Sequence, residues 1–518
     1  MTDDQTFHDD IEGYCSRLSY GVGDSVELHI SSRSATYDVR VERWGGERVA
    51  VWSAASVSGE YHEPPSDADA EGCGWPASVR FDVDPAWRSG FYLVTLTAHG
   101  AEPGRGTAHA GFVVRGAAAP DQRRRALYVL PTNTWHAYNT WGGRSLYTGG
   151  SKVSFHRPFC RGMLARPEVE RDDRKARPTR FRETPDVDGE IFQKYRTDNN
   201  YPSAIGSTGW FTHGRRFVEW AETAGYEFDF AVSTDLADDP ATLDGYDVVL
   251  VVGHDEYWSG PQRDALERFV EAGGNLASFS GNTMFWQVRV EPGRAGPSMV
   301  CHKYQAHVAD PALDDGRPSE MTGMWADPIV GRPEWTVLGA GSAYGLYHRF
   351  GQATARGVGG FVVYRDDHWL LARTGLRYGD VLGADDGVVG YETVGCPLTL
   401  DDVGLPVVGT SISAPIAAAT KIIAFTPSSN LAVGEYPASI AALSDQGDLE
   451  FNAERIFADD PDALARARHG NAVMLTCHPF GDQGGEVVTI GTTDWVFGLA
   501  ADAAVAQVTA NVLDRFAV

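Results

Sequence analysis

The sequence predicts an α/β domain on a mostly parallel sheet, preceded by an all-β sandwich of immunoglobulin-like type. Three observations lead there. Short segments of alternating apolar and polar residues fill residues 1–116. The run "DVVLVV", whose apolar part begins at Val248, is β-branched and uninterrupted, as in a strand covered on both faces. Strand–helix alternation then recurs in "GRRFVEWAETAGYEFDFAVSTDL" and near the C-terminus.

Taken in order, "SVELHISS", "TYDVRVERW", "VRFDVD", "GFYLVTLTAHG" and "HAGFVVRG" are the sandwich strands, separated by Gly, Ser or Asp. The stretch "GAAAPDQRRR" at residues 116–125 is the linker, which puts the second domain at residues 126–518. "ALYVLP" opens that domain and runs into "TNTWHAYNTWGGRSLY", a second wall for any crevice at the strand ends. Residues 151–209, charged and rich in Pro and Arg, form an irregular excursion over the surface. After Val248 the elements are explicit. Ser259, Gly260 and Pro261 start a helix with a capping hydroxyl and a first-turn proline. Ala265, Leu266, Phe269 and Val270 have helical spacing, Gly273-Gly274 stops the helix, and "NLASFS" is the next strand. Beyond about residue 300 the pattern is strand-rich, and "VVTIGTTDWVFGL" followed by "DAAVAQVTANVLDRFAV" returns to strand and amphipathic helix.

Composition narrows the function class. With 518 residues, 43% hydrophobic and 22% charged, the chain is globular and long enough for more than one core. A net charge of −26 excludes nucleic acid or an anionic membrane as the main partner. The six cysteines form no C-x-x-C pair, so neither a zinc knuckle nor a dense disulfide framework is expected, and reduced thiols in a cytoplasm are. The start "MTDDQTFHDDIEGYCS" has no apolar h-region, and no apolar run reaches membrane-spanning length.

The chemistry concentrates at one strand end. Gly253-His254-Asp255-Glu256-Tyr257-Trp258 follows the buried run, where open α/β sheets bind ligands. Tyr257 and Trp258 could equally serve to cover the sheet edge. A nucleophile elbow should follow "NLASFS" in a serine or cysteine hydrolase, but Ser278-Phe279-Ser280-Gly281-Asn282-Thr283 lacks its second glycine. Neither a P-loop nor an H-E-x-x-H motif is present, and "GVGG" at residues 357–360 is an unplaced glycine cluster.

Five segments, "LPTNTWHAYNTWGGRSLY", "GHDEYWS", "NTMFWQVRVE", "VVGYE" and "GTTDWVFGL", resemble the C-terminal domain of the N,N-dimethylformamidase large (beta) subunit family. The likeness runs from about Leu127 to Val518. It implies an amidotransferase-like (flavodoxin-like) α/β domain and a mononuclear iron site of two tyrosines and one glutamate that activates water to cleave a formamide. Phenolate and carboxylate are hard oxygen ligands suited to Fe(III). A free tyrosine titrates near ~10, so a strong Lewis acid must hold it ionised. Such a metal also makes hydroxide from water without a nucleophilic side chain, which accounts for the missing elbow.

Carried over by residue, the resemblance puts metal ligands at Tyr257 and Glu320. The second tyrosine falls at His213-Gly214-Arg215-Arg216, where none is present, so His213 is the expected substitute, and zinc becomes an alternative to iron. Glu392, in "GVVGYETVG", is the expected general acid or base, His254 a partner in hydrogen bonding or proton transfer, and Asn282 a holder of a carbonyl oxygen. The reading is a metal-dependent hydrolase of a small amide. Its alternatives are a metal-free ligand-binding or scaffold protein on a degenerate fold, and a Ser280-dependent acyl hydrolase. A homo-oligomer, most simply a dimer, is expected, since no equivalent of the family's small subunit is evident.

Overall fold

The computed structural model describes residues 9–102, 104–116, 125–167, 201–202, 204–348, 358–409, 412–435 and 447–517. Most of the expected linker (117–124), the centre of the charged excursion (168–200) and Gly357 of the glycine cluster lie outside the described residues.

The N-terminal unit is a sandwich of two sheets. Ile11–Cys15, Ser25–Ser32 and Ala77–Asp82 form one, and Ser19–Tyr20, Thr107–Val114, Gly90–Ala98, Thr36–Trp44 and Arg48–Ser58 the other. Alternate residues such as Leu28, Val41, Val94 and Phe112 meet in a core between them. That is what the period-two pattern of these segments dictates.

The larger unit is organised on a nine-stranded sheet. Its order is Asp229–Val232, Ala126–Leu130, Val248–His254, Asn275–Gly281, Val487–Ile490, Gly470–Cys477, Thr420–Ser428, Phe361–Val363, Val381–Leu382. The first five strands run parallel. The remaining pairings are all antiparallel. The expectation of a mostly parallel, flavodoxin-like and amidotransferase-like sheet is therefore incorrect; the sheet is mixed. "TKIIAFTPS" and "GNAVMLTC" are apolar enough for a covered strand, but burial on two faces carries no information about direction.

Alternation within one strand sorts side chains between two cores. Val248, Leu250 and Val252 enter the layer shared with the C-terminal helix Ala503–Phe516. Val249 and Val251 enter the layer under the helix Gly260–Glu271. That helix begins where expected, with the Ser259 hydroxyl accepting from the Gln262 amide. A second sheet joins Lys152–Ser154, Gly296–Val300, Trp286–Gly293 and Tyr257–Ser259, with Tyr257 opposite Trp286. No described helix is long and apolar enough to cross a membrane. All six cysteines are free and buried.

The sandwich shares a core with the larger unit. Phe91 stacks on Trp210 with ring centroids 4.2 Å apart, and Trp44 packs edge-on against the same indole. Around them Arg43 donates to both Glu222 oxygens at 2.5 and 3.1 Å, the Gly46 amide to Glu222 at 2.7 Å, and Trp44 Nε1 to Glu219 at 2.9 Å. Burial alone would raise the Glu222 pKa, but Arg43 and the Gly46 amide outweigh it and hold the carboxyl low. Glu222→Ala leaves Arg43 largely buried without its partner and should cost about 3 kcal/mol, read from thermal unfolding. Because the folded pKa is depressed, the stabilisation is complete at neutral pH and fades as pH falls through the acidic range. The gap between the two melting curves should therefore be full at about pH 7 and shrink below about pH 4.

Candidate functional site

The parallel strands bring their carboxyl ends to one place, and the polar residues of "GHDEYWS" and "GNTMFW" are buried there. Strand Val248–His254 ends at His254, paired in register with Gly281. Two glycines make the close approach possible. A Cβ at Gly253, which has φ +84°, would lie 2.5 Å from the His213 Cβ. One at Gly281 would lie 2.1 Å from the Glu392 carbonyl oxygen. Glu392 is thus laid directly across the end of Asn275–Gly281. It is held there by Thr493, whose amide donates to the Glu392 carbonyl at 2.9 Å and whose hydroxyl accepts from the Glu392 amide at 3.3 Å.

His254, Glu256 and Glu392 form the core of the site. One ligating atom from each lies within 4.8 Å of the others, and all three are buried. The His254 Nδ1 is 2.9 Å from the Ser207 carbonyl, so Nδ1 carries the proton and Nε2 faces the carboxylates. Nε2 is 2.5 Å from Glu392 Oε2 and 3.2 Å from Glu256 Oε2. The imidazole therefore faces both carboxylates through one nitrogen, at ion-pair distance from each. Burial pulls the imidazole pKa down, but Glu392 and then Glu256 outweigh it and leave it raised to about 10.

Glu256 is the most heavily supported carboxylate. It accepts from Tyr138 at 3.1 Å, from Tyr147 at 2.8 and 2.7 Å, and from Trp286 Nε1 at 2.8 Å. The Thr134 hydroxyl takes its backbone amide at 2.9 Å, tying the loop to the helix Thr132–Tyr138. Burial would raise the Glu256 pKa, but His254, followed by Lys303 and Tyr147, lowers it below the ordinary value. Both phenols are pushed well above theirs, by burial first and Glu256 second. Lys303 brings a buried ammonium 3.4 Å from the Tyr147 ring centre, with Trp286, Tyr304 and Tyr257 within 5.9 Å. Its backbone is left-handed at φ +51°. Asn282, also left-handed at φ +51°, donates through Nδ2 to Glu392 Oε2 at 3.2 Å.

The structure thus gathers His254, Asn282 and Glu392 as expected from the sequence. It does not gather Tyr257, Glu320 and His213. The Tyr257 hydroxyl donates to Tyr147 at 2.9 Å rather than to Glu256 itself. Glu320 is half exposed and pairs with Arg317 at the surface. His213 is buried in the turn Trp210–Gly214, packed behind Gly253 and edge-on to Phe497, and is not one of the three converging ligands. Ser280 turns its hydroxyl toward the Gly281 carbonyl, with no histidine bonded to it. Sequence reasoning passed over Glu256, Tyr138, Tyr147 and Lys303. The first three stand inside the quoted motifs, and aromatic hydroxyls beside "HDE" were a usable signal. Lys303 carries no motif, and its left-handed backbone shows only in the structure.

Two comparisons bear on this arrangement. The N,N-dimethylformamidase beta subunit of an Alcaligenes species is 37% identical over 76 residues, and that of Paracoccus aminophilus 33% over 76 residues. Each aligned stretch covers 14% of this chain and only 10% of the relative. The family model described as N,N-dimethylformamidase beta subunit-like, C-terminal, matches residues 38–509, beginning inside the sandwich and taking in every residue of the site. With nearly the whole chain matched, and the site built from the segments that carry the likeness, the protein belongs to the N,N-dimethylformamidase beta subunit-like, C-terminal family.

Proposed function

We propose that this chain hydrolyses the C–N bond of a small amide with metal-activated water. Glu256 and the hydroxyls of Tyr138 and Tyr147 hold the metal, and His254 and Glu392 move the protons. The observation that carries the reading is the convergence of two phenols on one buried carboxylate beside a histidine–carboxylate pair. This is the two-tyrosine, one-glutamate donor set expected from the resemblance, built from other residues. Hard anionic oxygens favour iron. Both phenols are held protonated by burial and Glu256, so only a strong Lewis acid ionises them. Bound there, the metal would acidify water and polarise an amide carbonyl.

The chain's own residues account for the rest. Amide cleavage needs a base for water and an acid for the departing nitrogen, which is too basic to leave as an anion. Glu392 lies 2.5 Å from His254 Nε2, so the charged imidazole gives its Nε2 proton to the leaving amine and is recharged by the proton that Glu392 takes from water. Asn282 fixes the Glu392 oxygen that faces the imidazole. The Ser207 carbonyl fixes the ring. Both relatives are named N,N-dimethylformamidase beta subunit, in keeping with a small amide as substrate.

A second reading rests on a different observation. An imidazole whose Nδ1–H is held by a backbone carbonyl, with Nε2 facing two carboxylates, is also how a histidine ligand is presented. There His254, Glu256 and Glu392 hold the metal, zinc or iron, and the phenols support Glu256.

Elemental analysis with a visible spectrum separates the two. The iron-loaded protein should show a tyrosinate–Fe(III) absorption band. Tyr147→Phe should weaken the band and the Tyr138→Phe/Tyr147→Phe double variant should lose it, while His254→Asn keeps it and loses hydrolysis of N,N-dimethylformamide or a short N-alkylamide. A colourless metalloprotein that loses its metal in His254→Asn moves the assignment to the second ligand set; a protein that takes up no metal sinks both. Glu392→Gln keeps the side-chain shape and removes the base, so turnover should fall about 10²- to 10⁴-fold. Unchanged turnover would remove Glu392 from the mechanism. We further propose a homodimer, and a single-chain mass by light scattering at micromolar concentration would refute it.

A further inference from the structure

The geometry points to Glu334 and Ser342 as positioning residues that aim Asn282 at Glu392, an inference that rests on the proton-transfer role given to Glu392 above. Neither residue hydrogen-bonds directly to the His254–Glu256–Glu392 group, and neither stands in the five aromatic-rich segments quoted above. They connect to it through a buried chain of hydrogen bonds. The Ser342 amide donates to Glu334 Oε1 at 2.9 Å. The Ser342 hydroxyl donates to Asn282 Oδ1 at 2.8 Å, and Asn282 Nδ2 donates to Glu392 Oε2 at 3.2 Å.

The directions are forced. A carboxylate only accepts, so Asn282 must turn its nitrogen toward Glu392 and its oxygen toward Ser342. Ser342 must then donate. Without that donor the amide loses the partner that distinguishes its two ends, and a flipped Asn282 would set oxygen against carboxylate. The turn that carries Ser342 is itself fixed to the Glu392 segment. Gly341 and Gly395 exchange backbone hydrogen bonds at 2.7 and 3.0 Å, three residues beyond Glu392. A Cβ at Gly341 would lie 2.5 Å from Glu334 Oε1, so the carboxyl fits only against glycine. Glu334 is fully buried just before the short helix Trp335–Leu338, where an apolar side chain would meet less desolvation cost. Its bond to the Ser342 amide sets the height of the hydroxyl over Asn282.

The test reads Asn282 directly, in the full-length, metal-free protein. Solvent exchange of the Asn282 side-chain amide protons, followed by NMR with selective asparagine labelling, should be slow in the wild type. It should stay slow in Ser342→Thr, which keeps the hydroxyl, and in Glu334→Gln, which keeps an acceptor oxygen. It should quicken on the order of five- to tenfold in Ser342→Ala and in Glu334→Leu, the change expected for one lost hydrogen bond. A melting temperature that drops in Ser342→Ala while Asn282 exchange stays at the wild-type rate overturns the assignment, because that is a structural role alone. Should the removal variants not fold, the wild type decides, since an Asn282 amide exchanging as fast as a solvated asparagine also overturns it. Co(II) uptake by the same samples reads the metal proposal separately, so a wild type that binds no Co(II) fails that reading and leaves the Asn282 result standing.

Discussion

Glu256 and Glu392 lie buried against one imidazole, and much of the structure around the strand ends serves to make that charge tolerable. An isolated carboxylate in such a place costs several kcal/mol even after relaxation. Glu256 offsets this with two phenols and an indole N–H, Glu392 with the Asn282 amide, and both with the nearby His254. Lys303 adds a positive charge at the cost of an unfavourable backbone conformation. The aromatic density of the segments around residues 135–147 and 257–286 follows from the same need. Tyrosine and tryptophan give a donor at one end and fill the core with the other.

The mixed sheet positions this group in a way that neither half could alone. Its parallel half points the ends of Val248–His254 and Asn275–Gly281 in one direction, which brings His254 beside the residue that precedes Asn282. Glu392 arrives from the other half. Its neighbour Thr393 bridges to Thr492, just past Val487–Ile490, the strand at which the sheet turns antiparallel. The site therefore lies near the strand at which the sheet changes direction.

Legibility in the sequence tracked how local each determinant was. The Ser259 cap, the helix stop at Gly273-Gly274 and the strand Thr36–Trp44 depend on neighbouring residues, and the structure has them where the pattern put them. Strand direction depends on partners well outside the local window, such as Gly470–Cys477 against Thr420–Ser428, which is why the antiparallel half went unseen. At the site, the residues that end strands, His254 and Asn282, could be placed from the strand pattern itself. Glu256 was legible too: it stands two residues after His254, on the same side of an extended chain, while the expected ligand, Tyr257, opens the next strand and points the other way. Glu320 failed for a different reason. Its local setting resembles a ligand segment, but Arg317 in the preceding turn keeps it at the surface.

The two ligand sets differ in what becomes of the protons. In the metal-free protein the two carboxylates hold the imidazole charged, and the phenols remain neutral hydrogen-bond donors. A cation entering this group upsets the balance unless protons leave. In the histidine set the imidazolium must give up its Nε2 proton, and the phenols keep theirs on Glu256. In the tyrosine set the phenols lose theirs, and His254 can remain charged beside Glu392 as the acid for a departing amine. The second outcome leaves the chain a proton donor at the end of the strand where the substrate nitrogen must depart, and the first leaves it none from this group. That difference, more than the count of converging ligands, is what favours Glu256 and the tyrosines as the proposed metal ligands, with His254 and Glu392 left to the proton.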